Sequence, residues 1–198
     1  MRPAAPTTVA ALTTVIAAAA LVASACTSTQ TGQASPPSSQ TAESSASSSS
    51  AAPNDLIGLN ACTLLTDAEA QQAVPGVGTH QDMGDLGGPG TSDCSWTKPA
   101  TNDSAAQTFG ITVRPTQGLK DIVVKPGGQL SNTTTTGGRQ AILLKNDQGE
   151  GSCAGGIAVG PGRIDINDEA VGVNSTTESA CAVVNKNADY VEPRLPAS

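Results

Sequence analysis

The sequence predicts an α+β domain: a mainly antiparallel sheet packed with an N-terminal and a C-terminal helix, preceded by a signal peptide and a disordered linker. Two S/T-x-x-E capping boxes, Thr66-Asp67-Ala68-Glu69 and Ser175-Thr176-Thr177-Glu178, each open a stretch with helical apolar spacing. Between them lie short runs of alternating or β-branched residues separated by Gly and Pro. Four cysteines, Cys62, Cys94, Cys153 and Cys181, fall two to each half.

In the first helix Ala70, Ala73 and Val74 form a small apolar face, and Pro75-Gly76 stops it. His80 to Thr91 is rich in Gly and Asp and reads as a loop. Cys94 to Thr97 and Thr108 to Arg114 read as strands, the second with Phe109, Ile111 and Val113 alternating and Pro115 as its end. Gly118 to Val124 fits a short helix through Leu119, Ile122 and Val123. Ala141 to Leu144 follows the turn Gly137-Gly138 as a buried strand, and Gly156 to Val159 with Arg163 to Asn167 form a hairpin about Gly160-Pro161-Gly162. In the last helix Cys181, Val184, Ala188 and Val191 share a face, and Pro193 ends it.

The N-terminus has a different composition. Residues 1–25 carry Arg2, an Ala-rich apolar run from Val9 to Val22, and Ala23-Ser24-Ala25 before Cys26, the three-part layout of a secretory signal. The run is too short and weakly apolar for a permanent membrane helix. Small residues before a Cys resemble the bacterial lipobox, although Ala23 stands where Leu is usual. The resemblance implies lipidation of Cys26 by acyl chains of the palmitate type and anchoring to the outer face of the cytoplasmic membrane. The other reading is ordinary secretion after cleavage at Ala23-Ser24-Ala25. After Cys26, the rest of residues 26–53 is almost entirely Ser, Thr, Ala, Pro and Gln with Glu43 as the sole charge, a composition that cannot offset the entropy of ordering. Such a tether spans about 30 Å root-mean-square.

Residues 54–198 are the size of one domain. Trp96, Phe109 and Tyr190 are the chain's aromatics, so the core rests on aliphatic side chains and gains from cross-links. Four cysteines allow three pairings. Cys62 to Cys94 with Cys153 to Cys181 keeps each bridge within one half, and the face of the last helix turns Cys181 toward the strand region of Cys153. Export favours disulfides over a metal site, and the sequence has no CxxC spacing and a single His.

The segment Asn60-Ala61-Cys62-Thr63-Leu64-Leu65-Thr66-Asp67-Ala68-Glu69, then Cys94-Ser95-Trp96, then Gly137-Gly138-Arg139-Gln140-Ala141, and paired cysteines ahead of a C-terminal helix resemble the actinobacterial lipoproteins grouped as domain of unknown function 3558. The resemblance covers the chain after the linker. It departs at Ala61, where Pro is usual. It implies an envelope compartment and this architecture, and it brings no activity, cofactor or catalytic residue.

The chemical motifs are weak. Gly149-Glu150-Gly151-Ser152-Cys153-Ala154 fits G-x-G-x-x-A but should precede a strand, where a dinucleotide site needs a helix. Asp165, Asn167 and Glu169 begin like a calcium loop, yet Ala170 stands where the turn Gly is needed and Thr176 where the closing Glu is needed. His80 with Asp82 or Asp85 could pair as base and orienter, with Ser92 or Ser95 as nucleophile, but no G-x-S-x-G surrounds either serine. Trp96 beside Cys94 reads as a core anchor in preference to a ligand-stacking Trp, and Arg139 as a sheet-edge cap in preference to a contact for an anionic ligand. A formal charge of −7 with no basic stripe argues against nucleic acid and against adhesion to anionic headgroups, leaving the N-terminal lipid to hold the membrane.

Two functional classes follow. One is a non-enzymatic envelope module binding or scaffolding a protein partner or a small apolar or envelope ligand between sheet and helix. The other is an extracytoplasmic hydrolase or transferase whose site the sequence hides. An aliphatic cleft without convergent titratable groups would favour the first; His80 meeting a carboxylate and a serine in one cleft would favour the second.

Overall fold

Strand-forming residues dominate the middle of the chain, and the structure pairs them into one sheet. The computed structural model describes residues 56–197; the signal peptide, Cys26 and the tether lie outside them. The strands are β1 (Gln81–Gly84), β2 (Ser92–Lys98), β3 (Ala106–Arg114), β4 (Gln129–Thr134), β5 (Gln140–Lys145), β6 (Ser152–Val159) and β7 (Gly162–Val171). Their spatial order is β1-β2-β3-β7-β6-β5-β4, and every pairing is antiparallel. Helices α1 (Asp67–Ala73) and α2 (Thr177–Val191) complete the α+β architecture.

The alternation in β3 works as its sequence implies: Phe109, Ile111 and Val113 are wholly buried on the face shared with Trp96 of β2 and Ile164 and Ile166 of β7. Trp96 and Phe109, directly opposite in register, stack with centroids 5.2 Å apart and planes 7° from parallel. Burying one such pair contributes about 1 kcal/mol beyond its area. The helix α2 lays Ala180, Cys181, Val184 and Val191 on the same face of the sheet.

β6 shows how closely the layers approach. Gly155 and Gly156 face opposite sides of the sheet; a Cβ on Gly155 would force a neighbour to shift, and one on Gly156 would be tight. One placed on Gly155 would lie 2.9 Å from Val184 Cγ1 of α2; one on Gly156 would lie 3.0 Å from Leu119 Cδ2 and 3.2 Å from Ile122 Cδ1. The β3–β4 connection therefore crosses the face opposite α2 and packs Leu119 and Ile122 there. This cover explains why β5 buries Ala141, Ile142 and Leu144, residues from both of its faces.

Both disulfides pair as the sequence favoured, Cys62 with Cys94 and Cys153 with Cys181. The first ties the turn Ala61–Thr63 to β2, and the second ties α2 to β6.

Four expectations are corrected. The segment expected to be loop from His80 to Thr91 contains β1, an edge strand whose residues are all exposed. β4 was not expected and is likewise exposed throughout. Gly118 to Val124 forms only a 3-10 turn at Leu119–Asp121 before extending. The cap of α2 lies one residue later than the Ser175…Glu178 box: Ser179 N donates to Thr176 Oγ1 at 3.1 Å and Thr176 N to Ser179 Oγ at 3.3 Å. Ser175 lies in the preceding turn, where its Oγ donates to Gly172 O at 2.9 Å. Beyond Val191 the chain tightens into a 3-10 turn, Glu192–Arg194, whose first turn accommodates Pro193.

Candidate functional site

Between α2 and the β4 side of the sheet lies a cleft of about 290 Å³. Gly155, Ile157 and Ile166 form its floor, Val184 and Ala188 of α2 one wall, and the threonines from Thr133 to Thr136 the other. The floor is aliphatic because these strand positions face the helix. The threonine wall is polar because β4 is an edge strand with water on one side.

Asp189 is the titratable group in this lining, and it is engaged: Thr136 Oγ1 donates to its Oδ1 at 2.7 Å. The neighbouring turn is clasped to the end of α2. Glu192 accepts from Thr135 Oγ1 through Oε1 and from Gly137 N at 2.8 Å through Oε2. Arg139 lies 3.9 Å from the same carboxylate and donates from Nη2 to Pro196 O at 2.5 Å. Arg139 thus holds the C-terminal segment against the β4–β5 turn, the structural role its position suggested. The cleft has hydroxyls and aliphatic surface but no convergent base, nucleophile and oxyanion donors, the arrangement that suits binding of an apolar group.

His80 is exposed and precedes β1. Its partner is neither Asp82 nor Asp85. Asp67 Oδ1, at the first residue of α1, accepts from His80 N at 2.9 Å and lies 3.0 Å from His80 Nδ1. It also accepts from Trp96 Nε1 at 3.0 Å. The His80 side chain, the His80 backbone and the Trp96 indole together hold the Asp67 carboxyl below its usual range. Among the described residues no hydrogen bond joins His80 to either serine proposed as a nucleophile. Ser92 Oγ accepts from Ala61 N at 2.9 Å, and Ser95 sits within β2 opposite Gly110. Asp82 is held low by hydrogen bonds from Gly84 N and Asn60.

The remaining motifs fall into structural roles. Gly149 to Gly151 form the turn before β6, and Asp165, Asn167 and Glu169 lie in β7 and alternate out of the sheet. Among the described residues no three His, Cys, Asp or Glu side chains gather to hold a metal ion, and no helix is long and apolar enough to cross a membrane.

Sequence reasoning missed three features. The cleft depends on β4, which carries no apolar alternation. Asp168 is almost wholly buried on the α2 face, where Gln107 Nε2 donates to its two oxygens at 3.0 and 2.9 Å. Burial pushes this carboxyl up to about 7, against the opposing pull of Gln107. The third is an Arg-Asp-Arg cluster on the opposite face; its sequence trace was Arg163 and Asp165, two apart in a strand and therefore on one side.

Fold and disulfides together define a disulfide-stapled α+β domain in which a helix packs over one face of an antiparallel sheet. The family model described as a protein of unknown function, DUF3558, matches residues 21–194, and the chain belongs to that family. Comparison with curated proteins and with solved structures finds no match.

Proposed function

We propose that this protein is a non-enzymatic cell-envelope lipoprotein whose domain binds a small apolar ligand, or an apolar side chain of an envelope protein, in the cleft between α2 and the sheet. The observation carrying this reading is the cleft lining: an aliphatic floor with its one carboxylate already bonded to Thr136. Its volume lies at the low end for small-molecule sites, which suits a short alkyl segment. Lipidation at Cys26 would anchor the domain to the outer face of the cytoplasmic membrane, and residues 26–53 would serve as the tether. The family match begins before Cys26 and so takes in the anchor sequence, which supports this arrangement.

A homologous series of n-alkyl alcohols, titrated against the protein and followed by backbone NMR, tests the cleft. Shifts concentrated at Gly155, Ile157, Val184 and Ala188, saturating and growing with chain length, are the expected result. The substitution Ala188→Phe should abolish them with the fold retained. Shifts scattered over the surface, or unchanged by Ala188→Phe, would sink the cleft reading. For the anchor, Cys26→Ser should release the protein from membranes; retention of that variant, with no diacylglyceryl mass on the wild type, would refute lipidation.

A further inference from the structure

The face of the sheet opposite α2 carries a second, polar cleft that the apolar-binding reading does not use. In the β3–β7 register Arg114 stands directly opposite Arg163. Like charges placed so oppose strand pairing, and something must offset them. Asp165 does so in part: its Oδ2 accepts from Arg114 Nε at 2.6 Å and its Oδ1 from Arg163 Nε at 2.6 Å. One carboxylate between two guanidinium groups leaves one positive charge over.

The other donors are partly spent. Arg114 Nη1 reaches Gly87 O and Gln117 Oε1, each at 3.2 Å, and Arg163 Nη1 reaches Gly118 O at 2.9 Å. The Nη2 atom of neither arginine has a partner among the described residues, and neither is sealed from solvent. Arg163 is otherwise nearly enclosed, its side chain 7% exposed. One terminal nitrogen of each arginine, both of which line a cleft of about 300 Å³, thus remains without a partner.

The rest of the lining restricts what would fit. Ile122, Ile142 and Leu144 give the cleft an apolar wall, while Asp121 and Asp147 bring carboxylates. Asp121 Oδ2 accepts from Gly118 N at 2.8 Å, and Asp147 accepts from Lys125 N at 2.9 Å with Lys125 Nζ at 3.7 Å. Nearby Asp93 accepts from Thr112 Oγ1 at 2.5 Å and Gly87 N at 3.0 Å. With so many carboxylates about the arginine pair, a bare anion would meet repulsion as well as attraction. A molecule with both signs of charge would not.

We propose that this cleft is a second binding site, for a small zwitterion with an apolar side chain, of the aliphatic amino-acid class. Its carboxylate takes one charge-assisted hydrogen bond from the open Nη2 of each of Arg114 and Arg163. Its ammonium faces Asp121 and Asp147, and its side chain lies against Ile142 and Leu144.

The test is calorimetric titration of the full chain in detergent with L-leucine at neutral pH. Saturable binding with Kd below about 1 mM is expected. Leucinamide, which lacks the carboxylate, 4-methylpentanoate, which lacks the ammonium, and glycine, which lacks the side chain, should each bind at least about tenfold more weakly. Arg114→Gln, at the solvent side of the cluster, should weaken leucine by a similar factor with thermal unfolding little changed. Arg163 is buried and its replacement could unfold the sheet, so the analogue series on the wild-type protein stands as the independent measurement. No saturable leucine binding, equal binding of 4-methylpentanoate, or an Arg114→Gln protein that binds leucine like wild type would each overturn the proposal. Ala188→Phe, in the other cleft, should leave leucine binding unchanged, which separates failure here from failure of the apolar-cleft reading.

Discussion

Trp96 and Asp67 meet across the core: the indole Nε1 of β2 donates at 3.0 Å to the Oδ1 of the residue that begins α1. Trp96 is wholly buried, so this bond satisfies a donor that water cannot reach. The same oxygen fixes the backbone of His80 just before β1. One carboxylate therefore joins the N-terminal helix, strand β2 and the backbone that leads into the edge strand β1.

Removing that acceptor should be costly. Asp67→Ala leaves a buried indole N–H unpaired and should destabilise by about 2 kcal/mol, whereas Asp67→Asn keeps an acceptor oxygen and should cost less. Urea unfolding followed by fluorescence reads this directly, since Trp96 is the chain's one tryptophan. Equal costs for the two variants would show that charge, and not the indole bond, is what matters.

His80→Ala should cost far less, about 0.5 kcal/mol, because the exposed ring is lost while the backbone N–H keeps its bond to Asp67. Ester, peptide and glycoside substrate panels should show no turnover. Turnover that vanishes in the His80→Ala protein with its circular dichroism unchanged would make the protein an enzyme.

Asp168 sets a pH dependence near neutrality. Its carboxyl ionises near 3.8 when unfolded and near 7 when folded, raised first by burial. Between these values the folded state holds the extra proton, so this group's contribution falls as pH rises from about 4 to 7 and is level above. Asp168→Asn keeps an acceptor for Gln107 and removes the buried charge. It should stabilise the protein by a few kcal/mol, at most ~4, at pH 8, with little gain at pH 4. Denaturation midpoints across that range check it; an unchanged slope between wild type and variant would refute the raised carboxyl.

Glu69 works in the opposite direction. Arg194 Nη2 donates to its Oε1 at 2.8 Å, and this bond, with the capping bonds from Thr66, lowers the carboxyl to about 2. Its contribution is full above about 4.5 and is lost as pH falls toward 2. The side chain is 20% exposed, so solvent screening reduces the effect to about 1 kcal/mol. Glu69→Gln should flatten the acid limb of the stability curve below pH 4.5, and a limb of unchanged steepness would argue against the pairing.

The bridge between α2 and β6 closes a separation of 28 residues. Replacing Cys153 and Cys181 together by Ala should cost about 3.5 kcal/mol in the chain-entropy account. Non-reducing peptide mapping of the wild type should recover Cys62 with Cys94 and Cys153 with Cys181. A Cys62 peptide linked to either later cysteine would contradict the structure.

Local chemistry was sufficient for some of this. Thr66 and Glu69 made a capping box from four adjacent residues, and it forms as read. Phe109, Ile111 and Val113 set the inward face of β3 by period alone, and the sequence positions of the four cysteines pointed to the two bridges observed. Two overlapping cap candidates were not resolved by sequence: Ser175 lies in a turn with Gly172, and Thr176 caps the helix. β1 and β4 bury no residue, so neither carries a hydrophobic period, and each becomes a strand only because β2 or β5 presents free backbone groups beside it. The two clefts follow from the same limit. Val184 meets Gly155, Thr136 meets Asp189, and Arg114 meets Arg163 and Asp165 only after distant segments pair. Tertiary packing therefore decided where the clefts arise, while the sequence by itself determined the start of α1, the central strands and the cysteine framework, because those depend on neighbours in the chain and on burial of a single face.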